Sequence, residues 1–492
     1  MTPARAVAIL EPVCVGLVAL AAFGWALLDA PGVTDNDAFF HMLMARRIAS
    51  GELWPSIDSL PLTVLGSAGP DHHWLWHVVI APIALLAPTV QGLEWAQAIT
   101  AALVPVVLVI LLRRWGAPWP ALWAALAVTG ALIMPFRVSE LRAQNVAIVM
   151  IVAALWALDR ERPRALAVIA FLFAQAYHGV VILAPLVLLH LGAVRLAEGR
   201  WTFRPAVHAL VGVVAGFALS PWFPENLDYL LFHTLYKVSN PQGLDVGREW
   251  LSPPLTHVLG ESWSAFVGLG LGVGLWGWAR GWRARSATTL LLVAATVTML
   301  LLYLKAWRFV EYFVPVAAVT AALLARDALP ALPRVARVVS PLALALLVVA
   351  QGQAGIRYVH DKSAYKIEPF LPIGEALERL GEPGDIVFNT AWADFPLLLW
   401  VAPRMRFVTG LDPTYLHFQD AGRSALVRGL RAATPEDPHD PAPVIAEHLR
   451  ARWVVVDPTA QGLAVQLGRS PAAKLVAFTP VGALFRLDVP RE

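Results

Sequence analysis

The sequence predicts a polytopic α-helical membrane protein with a small α/β domain at its C-terminal end. Three observations predict it. Hydrophobic residues make up 58% of the 492 residues and charged residues only 15%, with a mean hydropathy of +0.61. An ordinary soluble domain is about 25% charged, so this much apolar surface needs lipid as well as a core. Apolar runs of Ala, Val and Leu recur through residues 1–352, broken by short Arg-rich or Pro/Gly-rich stretches. From residue 353 onward, short β-rich runs alternate with turn signals and helical stretches.

The net charge of +3 and pI near 9.1 do not point to nucleic acid, because the positive charges sit in short clusters between apolar runs, as topology signals do. The single cysteine, Cys14, lies inside the first apolar run and excludes a disulfide framework within the chain. That run is interrupted by Glu11-Pro12 and lacks a small-x-small cleavage site, so it reads as a retained helix rather than a secretory signal.

The arginine clusters thread the helices. With Arg5 cytoplasmic, a helix over about 6–28 delivers a first outer loop, 29–73. The run Trp74–Pro88 falls short of the roughly 20 residues a span needs and reads as an interfacial segment. Spans are then expected at about 96–112, 120–136, 143–158, 165–177, 179–194, 206–221, 258–279, 286–304, 309–325 and 338–352. Arg113/Arg114, Arg160/Arg162/Arg164, Arg195/Arg200/Arg204, Arg280/Arg283/Arg285 and Arg326/Arg334/Arg337 all fall inside. The expectation is about eleven transmembrane helices in residues 1–352, with the N-terminus cytoplasmic. Residues 353–492 would then form an extracytoplasmic α/β domain whose strands include Asp385–Phe388, Arg406–Thr409, Trp453–Val456 and Ala483–Leu487.

A minority of cations falls on the outer side: Arg46, Arg47, Arg137, Arg142, Lys237, Arg248, Lys305 and Arg308. Guanidinium groups near bilayer depth are costly, and they suit the phosphate of a lipid-linked ligand because Arg offers a bidentate fork. The plainer reading is snorkelling, or pairing with Glu140, Glu249 and Glu311. In the first outer loop, Thr34-Asp35-Asn36-Asp37 precedes an amphipathic helix. These are N-cap residue types, yet two carboxylates at i, i+2 also suit a divalent ion or a general base. His41 lies one turn beyond Asp37. Asp71-His72-His73-Trp74-Leu75-Trp76-His77 places His73 and His77 at i, i+4, a spacing a metal could use. Shaping a pocket is the simpler role for both, as it is for His178 at the turn Tyr177-His178-Gly179.

Together these residues resemble the GT-C superfamily of membrane glycosyltransferases, most closely the catalytic subunit of oligosaccharyltransferase. Asp35-Asn36-Asp37, with the helix ending Ala45-Arg46-Arg47-Ile48-Ala49-Ser50-Gly51, is similar to that family's first acidic motif. Trp307-Arg308-Phe309-Val310-Glu311-Tyr312-Phe313-Val314-Pro315 resembles its late Arg-Phe…Tyr…Pro helix, and Trp392-Ala393-Asp394-Phe395 its WWDYG motif. Ala393, Phe395 and Pro396 depart from that last pattern, which argues against an Asn-x-Ser/Thr acceptor. The second acidic motif is reduced to Glu140 within Ser139–Asn145, with Arg142 and Asn145 nearby.

The resemblance implies transfer of a sugar or oligosaccharide from a polyprenyl-(di)phosphate donor, on the outer side of an inner membrane, to a protein, lipid or glycan acceptor. It implies Asp37 as the catalytic carboxylate supported by Asp35, and Mg or Mn held by Asp35, Asp37 and Glu249. Arg308, Arg142, Lys305 and Arg248 would grip the donor phosphate. His41, His73, His77, His178, Tyr312, Trp392 and Asp394 would shape the acceptor side or the pocket. The competing readings are a lipid-linked-sugar transporter or flippase and a non-catalytic assembly protein. A transporter would carry mid-helix charges along a path, whereas here the charges gather at helix ends.

Overall fold

The computed structural model describes residues 3–66, 69–237, 244, 246–280 and 286–488. The side chains of residues 3–7, 236, 237 and 248 are outside that description, as are Arg283 and Arg285 entirely. The expected contributions of Arg5, Lys237 and Arg248 as side chains therefore lie outside the described residues. The chain divides into two compact units: Met1–Thr34, His72–Phe223 and Gly247–Ala364 form one, and Asp35–Asp71, Pro224–Val246 and Tyr365–Glu492 the other.

The first unit is helical. Among the described residues six helices are long and apolar enough to cross a membrane: Ala8–Leu28, Val90–Trp115, His178–Glu198, Ala287–Lys305, Trp307–Ala331 and Arg334–Lys362. A seventh span arises if Leu255–Glu261 and Trp263–Arg280, bent by 72°, count as one. The chain is accordingly an integral membrane protein. The remaining expected spans meet shorter apolar helices, Pro120–Thr129, Gln144–Asp159, Pro163–Ala176 and Arg204–Ala218. Trp74–Leu86 has only 13 residues.

Burial sorts these helices. The window within Trp307–Ala331 is 94% buried, whereas those of the first and last spans are 17% buried and expose Leu17, Val18, Val335 and Leu346 as a lipid-facing surface would. Glu11, which interrupts the first apolar run, is paired with Arg113 of Val90–Trp115; the pairing offsets the cost of a carboxylate in an apolar helix. Trp263–Arg280 reaches Val310–Ala328 through Gly272, where a Cβ would lie 2.6 Å from the Ala321 backbone. Small residues at such a seam let two backbones approach.

The second unit holds a five-stranded sheet: β1 (Ile386–Asn389), β2 (Arg406–Phe407), β3 (Trp453–Val456), β4 (Ala473–Thr479) and β5 (Gly482–Leu487), in the order β2-β1-β3-β5-β4. β1 runs parallel to β2 and β3, and β5 antiparallel to β3 and β4. All four residues of β3 are buried, which is why Trp-Val-Val-Val is apolar without alternation. β4 was not among the expected strands. It is an edge strand exposing Leu475 and Phe478, although Ser470-Pro471 and Pro480-Val481-Gly482 flank it with turn signals.

Two insertions complete this unit. In the first outer loop, Ser59 accepts from Phe407 N at 2.8 Å, Val64 N donates to Tyr415 O at 3.2 Å, and Leu62 enters the core beside Phe388 and Val454. In the later loop, Tyr229 Oη meets Tyr415 Oη at 2.6 Å, and Phe232 packs edge-on to Phe418. The helix Arg334–Lys362 runs 29 residues without a break through residue 353. The compact second unit resumes at Tyr365.

Candidate functional site

The first unit contains a buried ionic cluster. Arg137, on the short helix Met134–Ser139, approaches Glu140 at 2.9 Å, Glu249 at 3.0 Å and Glu311 at 3.1 Å. Arg308 reaches the other oxygen of Glu249 at 3.1 Å and donates to Tyr177 Oη at 3.2 Å. Its guanidinium carbon lies 4.4 Å from the Trp250 ring centroid, a cation–π contact strengthened by loss of water. Arg142 stands 3.8 Å from Glu249. Three guanidinium groups therefore converge on one carboxylate, and three arginines face three glutamates. Burial explains the geometry: an isolated charge here is costly, so each is held by partners of opposite sign.

Local structure fixes each member. The segment before Gln144–Asp159 is stapled by Asn145, whose amide donates to Val138 O at 2.8 Å, and by Trp76 Nε1 on Leu141 O at 3.4 Å. Asn145 thus serves the backbone of the reduced acidic motif. The Glu249 turn is tied to the Arg308 turn by Trp307 N to Leu251 O at 3.1 Å and Ser252 Oγ to Lys305 O at 2.9 Å. Tyr177 folds back over Gly179, where a Cβ would fall 2.4 Å from its ring; glycine is required there for the ring to reach Arg308. Tyr312 hydrogen-bonds Tyr177. Lys305 is exposed, whereas Arg308 is buried.

In the second unit the acidic loop starts the helix Asp37–Ala49. Asp35 Oδ1 and Asn36 Oδ1 both accept from Asp37 N, at 3.1 and 3.0 Å. The capping role expected of the motif thus falls to Asp35 and Asn36, with Asp35 buried and Asp37 partly exposed. Asn36 Nδ2 donates to Ala393 O at 2.5 Å, joining the acidic loop to the Trp392-Ala393-Asp394 turn. The helix is not a surface helix: Phe39 packs on Trp400, Phe40 on Phe395, and His41 is buried. Arg46 covers Trp400, and Arg47 pairs with Glu52, so neither outward cation needs a ligand to explain it. Asp394 is pushed up to about 7, by burial first and by the nearby Asp457 carboxylate second, with Arg431 opposing. A carboxyl tuned there can exchange protons near neutral pH.

The expected Mg or Mn set fits poorly. Asp35 is engaged in capping, and both oxygens of Glu249 face guanidinium groups, an arrangement for an ion pair rather than for a hard-cation ligand. His73 does not use the i, i+4 spacing with His77, which is fully buried with its ring 6.3 Å away. It gathers instead with His72 and His178; the ligand atoms of these three lie within 4.8 Å of one another, the single such group of three among the described residues. Sequence reasoning took His73 and His178 separately and missed His72. Adjacency in the chain gave no sign that His178 would meet them.

No family model matches the sequence, and no curated protein does. Solved structures do match in fold. The oligosaccharyltransferase of Archaeoglobus fulgidus tethered to an acceptor peptide containing the NVT sequon aligns with a TM-score of 0.60 at 14% identity, over 96% of this chain and 74% of that one. AglB from Archaeoglobus fulgidus, in complex with an inhibitory peptide and a dolichol-phosphate, aligns with 0.60 at 13%, over 97% and 75%. ArnT from Cupriavidus metallidurans bound to undecaprenyl phosphate aligns with 0.59 at 15%, over 96% and 97%. The chain has a GT-C-like membrane fold.

Proposed function

We propose that this chain is a membrane glycosyltransferase that takes a sugar or oligosaccharide from a polyprenyl-phosphate or -diphosphate donor and transfers it to an acceptor on the outer side of the inner membrane. The observation that carries the reading is the convergence of Arg137, Arg308 and Arg142 on the Glu249 carboxylate. Three rigidly braced guanidinium groups define an anion position, and phosphate is the anion that such forks bind best. The donor phosphate competes with Glu249 for Arg308 and Arg142, while Arg137 stays committed to Glu311 and Glu140. Lys305, which is exposed, adds positive charge for the donor, as does Arg248, whose side chain lies outside the described residues.

Asp37 acts as the general base, taking the proton from an acceptor hydroxyl or amide as its oxygen or nitrogen attacks the sugar carbon and the phosphate leaves. Asp35 holds the start of the helix that carries it. Trp392 and Asp394, joined to this loop through Asn36 and Ala393, contact the acceptor. Likeness in fold to proteins solved with dolichol-phosphate and undecaprenyl phosphate supports the donor class. The N-terminus is cytoplasmic and residues 353–492 are extracytoplasmic in this reading.

The test is the protein in proteoliposomes with radiolabelled polyprenyl-phosphate sugars, alongside mass spectrometry of glycans and lipid-linked sugars in cells with and without it. Asp37→Asn is expected to lose sugar transfer by at least ~100-fold, the size of a general-base effect, while still binding donor. Arg142→Gln is expected to weaken donor binding itself. Transfer that survives Asp37→Asn sinks the mechanism; donor binding without any transfer by the wild type would favour an assembly protein.

A further inference from the structure

Nothing in the proposed transfer reaction uses the cluster of His72, His73 and His178. We propose that these three imidazoles form a binding site for one transition-metal dication of the zinc class, with a fourth position left for water or an anion. The ligand atoms lie within 4.8 Å of one another. Ring centroids are 4.0 Å apart for His72 and His73, 5.4 Å for His72 and His178, and 5.8 Å for His73 and His178. In a tetrahedral site with metal–nitrogen bonds of about 2.0–2.1 Å, ligand nitrogens sit roughly 3.3 Å apart. The atoms therefore need to close by up to about 1.5 Å, which imidazole rotation about the broad second torsion of each ring supplies.

The donor set chooses the metal. Three neutral nitrogens suit zinc, cobalt, nickel or copper, whereas magnesium and calcium require oxygen ligands. The three residues are half-buried rather than sealed, so an ion can enter and one coordination position stays reachable, as in sites with three protein ligands.

The surroundings hold the ligands in place. His73 is stacked on Tyr177 at 5.5 Å with 21° between the planes, and Tyr177 lies 4.2 Å from His178 by ring centroids. The same Tyr177 is fixed through its hydroxyl to Arg308. His72 and His73 immediately precede the helix Trp74–Leu86, and His178 opens the 3-10 turn His178–Ile182. A bound ion would therefore cross-link two segments about a hundred residues apart in the chain. Aromatic packing alone would also bring imidazoles together, and the experiment separates the two.

The full-length protein, purified in detergent with chelator-treated buffers, is loaded with zinc or cobalt alone, desalted, and measured for metal content and for the visible absorption of cobalt. One equivalent per chain, with tetrahedral cobalt bands, is expected for the wild type and for His439→Ala, an exposed histidine outside the group. His178→Ala and the double variant His72→Ala/His73→Ala should lose affinity by ~10-fold or more. His178→Cys should retain cobalt and add a thiolate charge-transfer band, which a misfolded protein would not show. The proposal fails if the correctly folded wild type takes up no stoichiometric zinc or cobalt. It fails equally if His178→Ala, monodisperse by size exclusion, binds as the wild type does, or if magnesium displaces zinc at equal concentration.

Discussion

Replacing Arg137 with Met should destabilise the helical unit more than any other single change in the ionic cluster. Its side chain is 7% exposed and that of Glu311 1% exposed, with 3.1 Å between them. At an effective dielectric near 20, two unit charges at that distance attract by roughly 5 kcal/mol, a gain that desolvation largely cancels. The cost of removing one partner is different: Glu311 keeps its desolvation cost and loses its compensation. Arg137 also faces Glu140 and Glu249, so three carboxylates would be left to Arg308 and Arg142. A loss of about 3–5 kcal/mol follows for a broken buried pair. Glu311→Gln in the Arg137→Met background removes the stranded charge and should recover about half of that loss or more. The assay is unfolding in mixed micelles of rising SDS fraction, followed by the fluorescence of the 20 tryptophans. The reasoning is refuted if Arg137→Met lies within about 1 kcal/mol of wild type, near the noise of ordinary surface substitutions, or if the double variant is no more stable than the single one.

Three further outcomes are expected. Because the Asp394 carboxyl is raised from 3.8 to about 7, the folded state binds its proton more tightly than the unfolded state. Stability should therefore fall as pH rises through that window and level off above it. The full shift corresponds to a ceiling of roughly 4 kcal/mol. Asp394 keeps part of its surface in solvent, so Asp394→Asn should raise stability at pH 8 by about 1–2 kcal/mol and flatten the profile of melting temperature against pH; an unchanged slope would count against the shift. Gly179→Ala places a methyl 2.4 Å from the Tyr177 ring and should cost about 1–3 kcal/mol as an overpacked site, read by thermal melting, with Tyr177→Leu/Gly179→Ala largely relieving it. Glu11→Gln leaves Arg113 without the carboxylate it meets on the first helix; since both groups are about a quarter exposed, the loss should stay near 1 kcal/mol or below, and a larger drop in melting temperature would show the pair to be drier than its exposure indicates.

What the sequence exposed, and what it hid, follows from the range over which each signal acts. Composition and apolar run length are local, so the membrane class and the location of every long helix could be read directly; so could the Asp35–Asp37 helix start, because capping is a matter of adjacent residues. The short helix Trp74–Leu86 was legible from its length alone. Pairings at long sequence distance were not. Arg137 was read as one outward cation among eight, yet it is the hub that Glu140, Glu249 and Glu311 share. His73 was matched with His77 by helical spacing, while its partner His178 comes from a turn about a hundred residues away. The one sign available for the arginines was the tally of buried charge. A chain only 15% charged that places Arg137, Arg308, Glu140 and Glu311 near helix ends must neutralise each of them, and there are few opposite charges at that depth to choose from. Pairing of the outer-side cations with Glu140, Glu249 and Glu311 is the plainer reading the sequence already offers; which arginine meets which carboxylate is not legible from it. Imidazoles carry no such obligation when neutral, which is why the histidine cluster left no trace in the sequence beyond the residues themselves.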